Sequence, residues 1–307
     1  MFLELKNTTI GYKTPLIKGV ETSLDLGDIC LLIGNNGVGK TTLIKTILHQ
    51  NPVLGGAIYI NQKNIKTLSN KEIAEQIAVV FSKAQIPANY TLTDLISLGK
   101  YIHYPYYFEL NEADKIEVHG IIESLNLAQY RDFPLQKLSD GNLQKAMIGR
   151  ALAQNSPMII LDEPTTHLDE ENKIAILKLL RNLAKKQKKL ILFSSHDWRL
   201  AKEFSDKIWF VKDQKLSGGI TEDILMNNDE LTNPHLFNFD ERFVAPHILA
   251  PNLPKEMLYS FLQKNFRKNL ENLQFKFKDG FWEISSDTIQ EKCTSFTEIA
   301  DLIEKLH

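Results

Sequence analysis

The nine residues Gly34-Asn35-Asn36-Gly37-Val38-Gly39-Lys40-Thr41-Thr42 constrain the fold more than any other stretch of the chain. They follow the apolar run 29–33 and precede the helical pattern of 43–48. Strand, glycine-rich turn and helix form the context in which G-x-x-x-x-G-K-[ST] cradles phosphate, because the turn aims backbone N–H groups and a helix N-terminus at one anion. In this reading Lys40 reaches the β- and γ-phosphates and the Thr41 hydroxyl is offered to Mg²⁺. A glycine turn with a chance lysine would lack the flanking strand and helix. The motif predicts nucleotide binding and leaves open which chemistry follows.

At 307 residues the chain is longer than a typical single domain, which predicts one large core with an appended part. The 43% hydrophobic and 24% charged content is that of a soluble globular protein, and the net charge of −2 predicts no nucleic-acid partner. Met1-Phe2-Leu3-Glu4-Leu5-Lys6 alternates like a first strand and lacks the basic start and long apolar run of a signal peptide, so the protein is expected in the cytosol. The apolar runs are too short for a membrane helix, and any membrane role is expected to come through a partner. Cys30 and Cys293 show no metal-ligand spacing and are expected as reduced thiols.

Short β-type runs at 3–5, 16–20 and 22–26 predict a β-rich N-terminal lobe. Gly55-Gly56 leads into a strand over 57–60, and Ser69-x-x-Glu72 is a capping box opening a helix to about Gln76. A buried strand follows at 77–81. Residues 84–154 then change to helical periodicity, at 92–98, 112–125 and 143–153, and predict a helical subdomain inserted in the sheet. Strands at 158–161, 190–194 and 207–211, with a helix at 173–183 between the first two, complete an α/β core. The lysine run 185–189 is expected as a solvated helix end. Gly218-Gly219 is expected to end the core.

Two further stretches carry chemistry. Met158-Ile159-Ile160-Leu161-Asp162-Glu163 is an apolar strand ending in two carboxylates, the order needed if Asp162 holds Mg²⁺ and Glu163 orients or deprotonates the attacking water. Leu138-Ser139-Asp140-Gly141-Asn142, followed by a helix containing Arg150-Ala151-Leu152, offers a helix N-terminus with a small hydroxyl and a close-approach glycine. This segment resembles the L-S-G-G-Q signature of ATP-binding-cassette ATPases. The resemblance runs from about residue 2 to residue 220. It implies an ABC-type P-loop NTPase: a β-rich N-terminal lobe, a RecA-like core and an inserted helical subdomain.

By that likeness Tyr12 matches the aromatic residue that stacks on adenine, Asp169 the D-loop and His196 the switch histidine. The catalytic set is then Glu163, His196 and Asp169, and Ser139, Gly141 and Asn142 join the phosphate loop in binding ATP. In that family two cassettes clamp two ATP molecules, each between one subunit's phosphate loop and the other's signature, which implies a second copy of this chain as partner. Two departures stand out. Where the family has a glutamine, this chain has Ser82, with Gln85 three residues on, so the third Mg²⁺ ligand is Ser82 or Gln85. Asp140 and Asn142 replace the usual glycine and glutamine.

A single cassette without a fused membrane segment resembles an importer's ATPase subunit. Leu92-Thr93-Asp94-Leu95-Ile96-Ser97-Leu98-Gly99-Lys100-Tyr101 resembles the corresponding segment of iron-chelate, haem and cobalamin importers. The resemblance implies integral-membrane permease subunits and a substrate-binding protein as partners, and a place on the inner face of the cell membrane. The alternatives are a ribosome- or DNA-associated cassette ATPase and a low-turnover regulatory module. The aromatic residues of 101–108 either line the groove for the permease or form a packed loop.

Residues 221–254, rich in Asn, Asp and Pro towards their end, are expected as a linker, and 255–307 as a small α+β module. Leu273, Phe275 and Phe277 alternate, Asp279-Gly280 supplies a two-residue turn, and Phe277 is predicted to face Trp282. Ser295-x-x-Glu298 is a capping box for a final helix with Phe296, Ile299, Ile303 and Leu306 on one stripe, and another helix is expected near 256–269. No ligand motif is visible there; a packing or dimer-stabilising role is expected.

Overall fold

The computed structural model describes residues 1–82, 89–104, 108–228, 231, 243–266, 269–286 and 289–305. The chain divides into two compact units, Met1–Ile224 and Leu225–His307.

The first unit carries two sheets. One is antiparallel, in the order β2-β1-β4-β5, with β1 (Leu3–Gly11), β2 (Pro15–Leu24), β4 (Gly55–Ile60) and β5 (Lys63–Asn64). The two runs expected at 16–20 and 22–26 are one strand, because both halves pair with β1, from Leu3 opposite Leu24 to Gly11 opposite Pro15. The second sheet has the order β10-β9-β3-β8-β7-β6. Its strands β3 (Ile29–Ile33), β7 (Met158–Leu161) and β8 (Leu190–Ser194) are buried at every position. Continuous apolar runs of this kind belong to parallel strands covered on both faces, and β3, β8, β7 and β6 (Ile77–Val80) are indeed parallel neighbours. Strand β9 (Lys207–Lys212) lies parallel to β3 on its other side, and β10 (Lys215–Ile220) closes the edge antiparallel to β9. Gly218 and Gly219 therefore do not end the core; they pair with Trp209 and Ile208. One apolar cluster joins Leu5, Ile17 and Ile58 of the first sheet to Leu32, Ile160 and Leu192 of the second, through Leu43, Ile44 and Ile47 of α1 (Lys40–Ile47).

Helix α2 (Asn70–Gln76) carries the expected capping box. Between the neighbours β6 and β7 the chain forms α3 (Leu92–Ser97), α4 (Glu112–Ser124) and α5 (Asp140–Ala153). Helix α3 opens on a second capping box, Thr91 with Asp94. Arg150 and Gln154 fasten α5 to the sheet by donating to the carbonyls of Val79 and Ile77 at 2.8 and 3.0 Å. Lys100 is buried and paired with Asp114 at 3.1 Å and Glu117 at 2.5 Å. Tyr104 hydrogen-bonds Asp114, and its ring packs edge-on against Phe108, which also touches Tyr101. The described aromatics of this stretch thus form a packed cluster with Tyr101 exposed.

Helix α6 (Glu170–Gln187) follows β7, with α7 (Trp198–Ala201) after β8 and α8 (Thr221–Met226) after β10. The lysine run at the end of α6 is only partly solvated. Lys185 pairs with Asp206 at 2.5 Å, and Lys189 donates to the Ser156 carbonyl at 2.9 Å.

The second unit is a four-stranded sheet, β11 (His247–Leu249), β12 (Gln274–Lys278), β13 (Phe281–Ser286) and β14 (Ile289–Cys293) in that order, with α9 (Asn252–Asn265) and α10 (Phe296–Lys305). Phe277 faces Trp282 across the hairpin, whose turn residues Asp279 and Gly280 both have positive φ, as a two-residue turn of this hand requires. The flanking strands β11 and β14 were not anticipated, and β11 lies within the stretch expected as linker. Phe275, Ile284, Leu258, Leu262, Ile299 and Ile303 form the core of this unit; Leu306 lies outside the described residues. The expected capping box is displaced by one residue: Ser295 Oγ accepts from the Glu298 N–H, but the Glu298 carboxylate returns to the N–H of Thr294, at 2.6 Å. Both cysteines are free and buried, and burial pushes both thiols above their usual range.

Candidate functional site

The phosphate loop leaves the buried end of β3 and enters α1. Gly34, Gly37 and Gly39 all have φ in the left-handed or neighbouring positive region (151°, 81° and 112°), and a Cβ on Gly34 would lie 2.5 Å from the Val211 carbonyl. A side chain is therefore excluded at Gly34, and glycine takes the positive φ at all three positions without strain. Helix α1 starts without a side-chain cap and without an acidic residue in its first turn, so its N-terminal N–H groups and positive dipole end remain available to an anion. The Lys40 ammonium donates to the carbonyls of Gly34 (2.6 Å) and Asn35 (3.1 Å), folded over its own loop. Burial pulls it below the ordinary lysine range, against the opposing pull of Glu163 and Asp162.

Parallel strands β7 and β8 deliver the next groups to the same end of the sheet. Asp162 is buried, its N–H donating to Val80 of β6 at 2.8 Å. One carboxylate oxygen accepts from Thr41 Oγ1 at 3.2 Å, the other from Ser194 Oγ at 2.8 Å. The Ser194 hydroxyl in turn accepts from the Glu163 N–H at 2.8 Å. Ser194 therefore orients both acids, a role not assigned to it from sequence. Its signal is there in retrospect, a serine ending an otherwise apolar strand. Glu163 has φ 57°, unfavourable for a non-glycine residue. His196 Nε2 lies 2.5 Å from Glu163 Oε1, and Thr166 Oγ1 donates to Oε2 at 3.3 Å.

The structure thus brings together Lys40, Thr41, Asp162, Glu163 and His196. Tyr12 is exposed beside them, and the neighbouring side chains of Asn51 and then Thr42 hold its hydroxyl below the usual tyrosine range. Asp169 caps α6, accepting from the Asn172 N–H (2.8 Å) and side-chain amide (3.0 Å), and these bonds hold its carboxyl below the usual range. Ser139 caps α5 through the Asn142 N–H at 3.4 Å. Among the described residues no hydrogen bond joins Ser139 or Asn142 to the phosphate loop. Ser82 is exposed in the turn after β6, two residues beyond the Val80 carbonyl that holds Asp162, and makes no described bond to Thr41 or Asp162. Gln85 lies outside the described residues.

The family model described as ABC transporter matches residues 17–166. An uncharacterized ABC transporter ATP-binding protein of Methanocaldococcus jannaschii is 34% identical over 225 residues, 73% of this chain and 78% of that protein. The chain belongs to the ABC transporter family. It is an ATP-binding, ATP-hydrolysing subunit of that family. A Bacillus subtilis relative of this ABC ATPase, the iron(3+)-hydroxamate import ATP-binding protein FhuC, is 35% identical over 204 residues, 66% of this chain and 76% of the relative. Among solved structures, the ADP conformation of an ATP-binding cassette of an ABC transporter superposes with a TM-score of 0.68 at 25% identity, covering 76% of this chain and 95% of that one. No helix among the described residues of this ABC ATPase is long and apolar enough to cross a membrane.

Proposed function

We propose that two copies of this chain sandwich two Mg²⁺-ATP and energise import of an iron chelate, haem or corrinoid through a separate membrane permease on the cytoplasmic face. The 2.5 Å approach of His196 Nε2 to Glu163 Oε1 carries the catalytic part of this reading. The backbone N–H groups of residues 34–42, the α1 N-terminus and Lys40 bind the phosphates. Thr41 and Asp162 fit Mg²⁺, a hard cation that takes a hydroxyl and a carboxylate oxygen together with substrate phosphates rather than a full protein cage. The bound ion would neutralise charge on the transferred phosphoryl group. Glu163 takes the proton of the attacking water, and His196 fixes the carboxylate that receives it. Ser139 and Gly141 of the second copy close each site.

Support for the cargo comes from the importer-like segment 92–101 and from the iron(3+)-hydroxamate relative; a substrate-binding protein would complete such a system. Glu163→Gln tests the core of the reading. Hydrolysis should fall by a factor of at least about 10² while ATP binding persists and a dimer accumulates in ATP. Retained turnover would remove Glu163 as the base. For the cargo, loss of ferric-hydroxamate, haem or corrinoid uptake on deletion of the gene supports import, and unchanged uptake of all three opposes it.

A further inference from the structure

The first turn of α6 touches both functional halves of this chain. An ideal Cβ built on Gly141 would lie 2.6 Å from Asn172 Oδ1 and 2.7 Å from its Cγ, so the signature glycine packs directly on the Asn172 amide. That amide is tethered by a hydrogen bond, its Nδ2 donating to Asp169 Oδ2 at 3.0 Å. The next residue, Lys173, pairs with Asp197 at 2.9 Å, and Asp197 adjoins His196, the partner of Glu163. One turn of helix therefore links Gly141 to the Asp169 turn on one side and to the histidine segment on the other.

We propose that Asn172 is a positioning residue, a strut through which the signature half-site lent to the partner copy is coupled to the half-site this chain retains. The inference rests on the composite-site reading above. Movement of α5 towards α6 must displace the Asn172 amide, because no side chain of Gly141 intervenes and van der Waals contact is already complete. Displacing the amide breaks its bond to Asp169, and the loss is felt at the turn that follows Glu163. A methyl group at position 141 would do the same permanently. Glycine is needed here by a contact within one chain, independently of any approach by nucleotide.

The test is a double-mutant cycle on the full chain, with ATP hydrolysis followed across ATP concentration for wild type, Gly141→Ala, Asn172→Ala and the double variant. Gly141→Ala should lower kcat/KM at least tenfold, and adding Asn172→Ala should recover at least threefold of that loss, since the group struck by the new methyl is gone. Asn172→Ala alone should bring the Hill coefficient for ATP down towards 1 while changing the maximal rate less than threefold. Additive effects in the cycle, or a Hill coefficient unmoved by Asn172→Ala, would overturn the strut. Thermal melts of all four proteins exclude unfolding as the cause, and Asn172→Ser, with little to meet a methyl at 141, should rescue Gly141→Ala as Asn172→Ala does. If Glu163→Gln traps an ATP dimer and the cycle is additive, the strut fails alone; if Glu163→Gln traps none, the composite-site reading fails with it.

Discussion

His196 Nε2 and Glu163 Oε1 lie 2.5 Å apart, although the two residues leave different strands and are separated by 33 positions in the chain. Parallel pairing of β7 with β8 brings their ends side by side, with Leu161 opposite Phe193. His196→Ala should leave the KM for ATP within threefold and lower kcat by about 10²-fold, because a misplaced base loses proton transfer without losing phosphate contacts. Steady-state kinetics on the purified chain decide the point. A large rise in KM with unchanged kcat would instead make the histidine a binding group.

Ser194 is fully buried and carries two hydrogen bonds, to Asp162 and from the Glu163 N–H. Ser194→Ala leaves a buried carboxylate oxygen and a backbone N–H without that partner, a cost of about 1–3 kcal/mol. Calorimetry should show the melting temperature of the cassette lowered by several degrees. Hydrolysis should fall further than binding, since both acids lose their fixed direction.

The Asp169 carboxyl is held below its usual range by the Asn172 N–H and amide. A depressed folded-state pKa stabilises above the unfolded value and is lost as pH falls through the folded one, since the unfolded chain then binds more protons. The melting-temperature gap between wild type and Asp169→Ala should therefore be constant from neutral pH down to about 5, and close as pH drops below about 4. A gap that shows no narrowing at all as pH falls below about 4 would show that the carboxylate charge is not what caps α6.

Phe275 is fully buried at the centre of the C-terminal unit. Phe275→Ala should cost about 3–5 kcal/mol. In a unit of this size that lowers its melting transition by at least about 12 °C. ATP affinity, measured by calorimetric titration, should stay within threefold, as the phosphate-binding groups all belong to the first unit. Loss of ATP binding would tie the two units together energetically.

The alternation of strands with helices, and the placing of the phosphate loop and the acid pair at strand ends, were legible from local pattern; the signature was read by resemblance. Each depends on residues within a few positions of one another: a glycine turn between strand and helix, two carboxylates after an apolar run, a hydroxyl ahead of a helix. The same holds for the Asp279-Gly280 hairpin and for the cap at Ser69. The strands β10 and β11 were not legible. β10 carries two glycines and β11 is short and partly exposed, and each is a strand only because a neighbour supplies its hydrogen bonds.

What the sequence by itself determined is the strand–glycine turn–helix context of the phosphate loop and the acid pair that ends an apolar strand. What only the tertiary structure decided is which of them act on one another. Ser194 became the link between two acids, and Asn172 became the neighbour of Gly141, because β8 lies beside β7 and α6 lies against α5. Hydrogen bonds and steric contacts act over about 3 Å, and no spacing along a chain of 307 residues records which distant side chains will come that close.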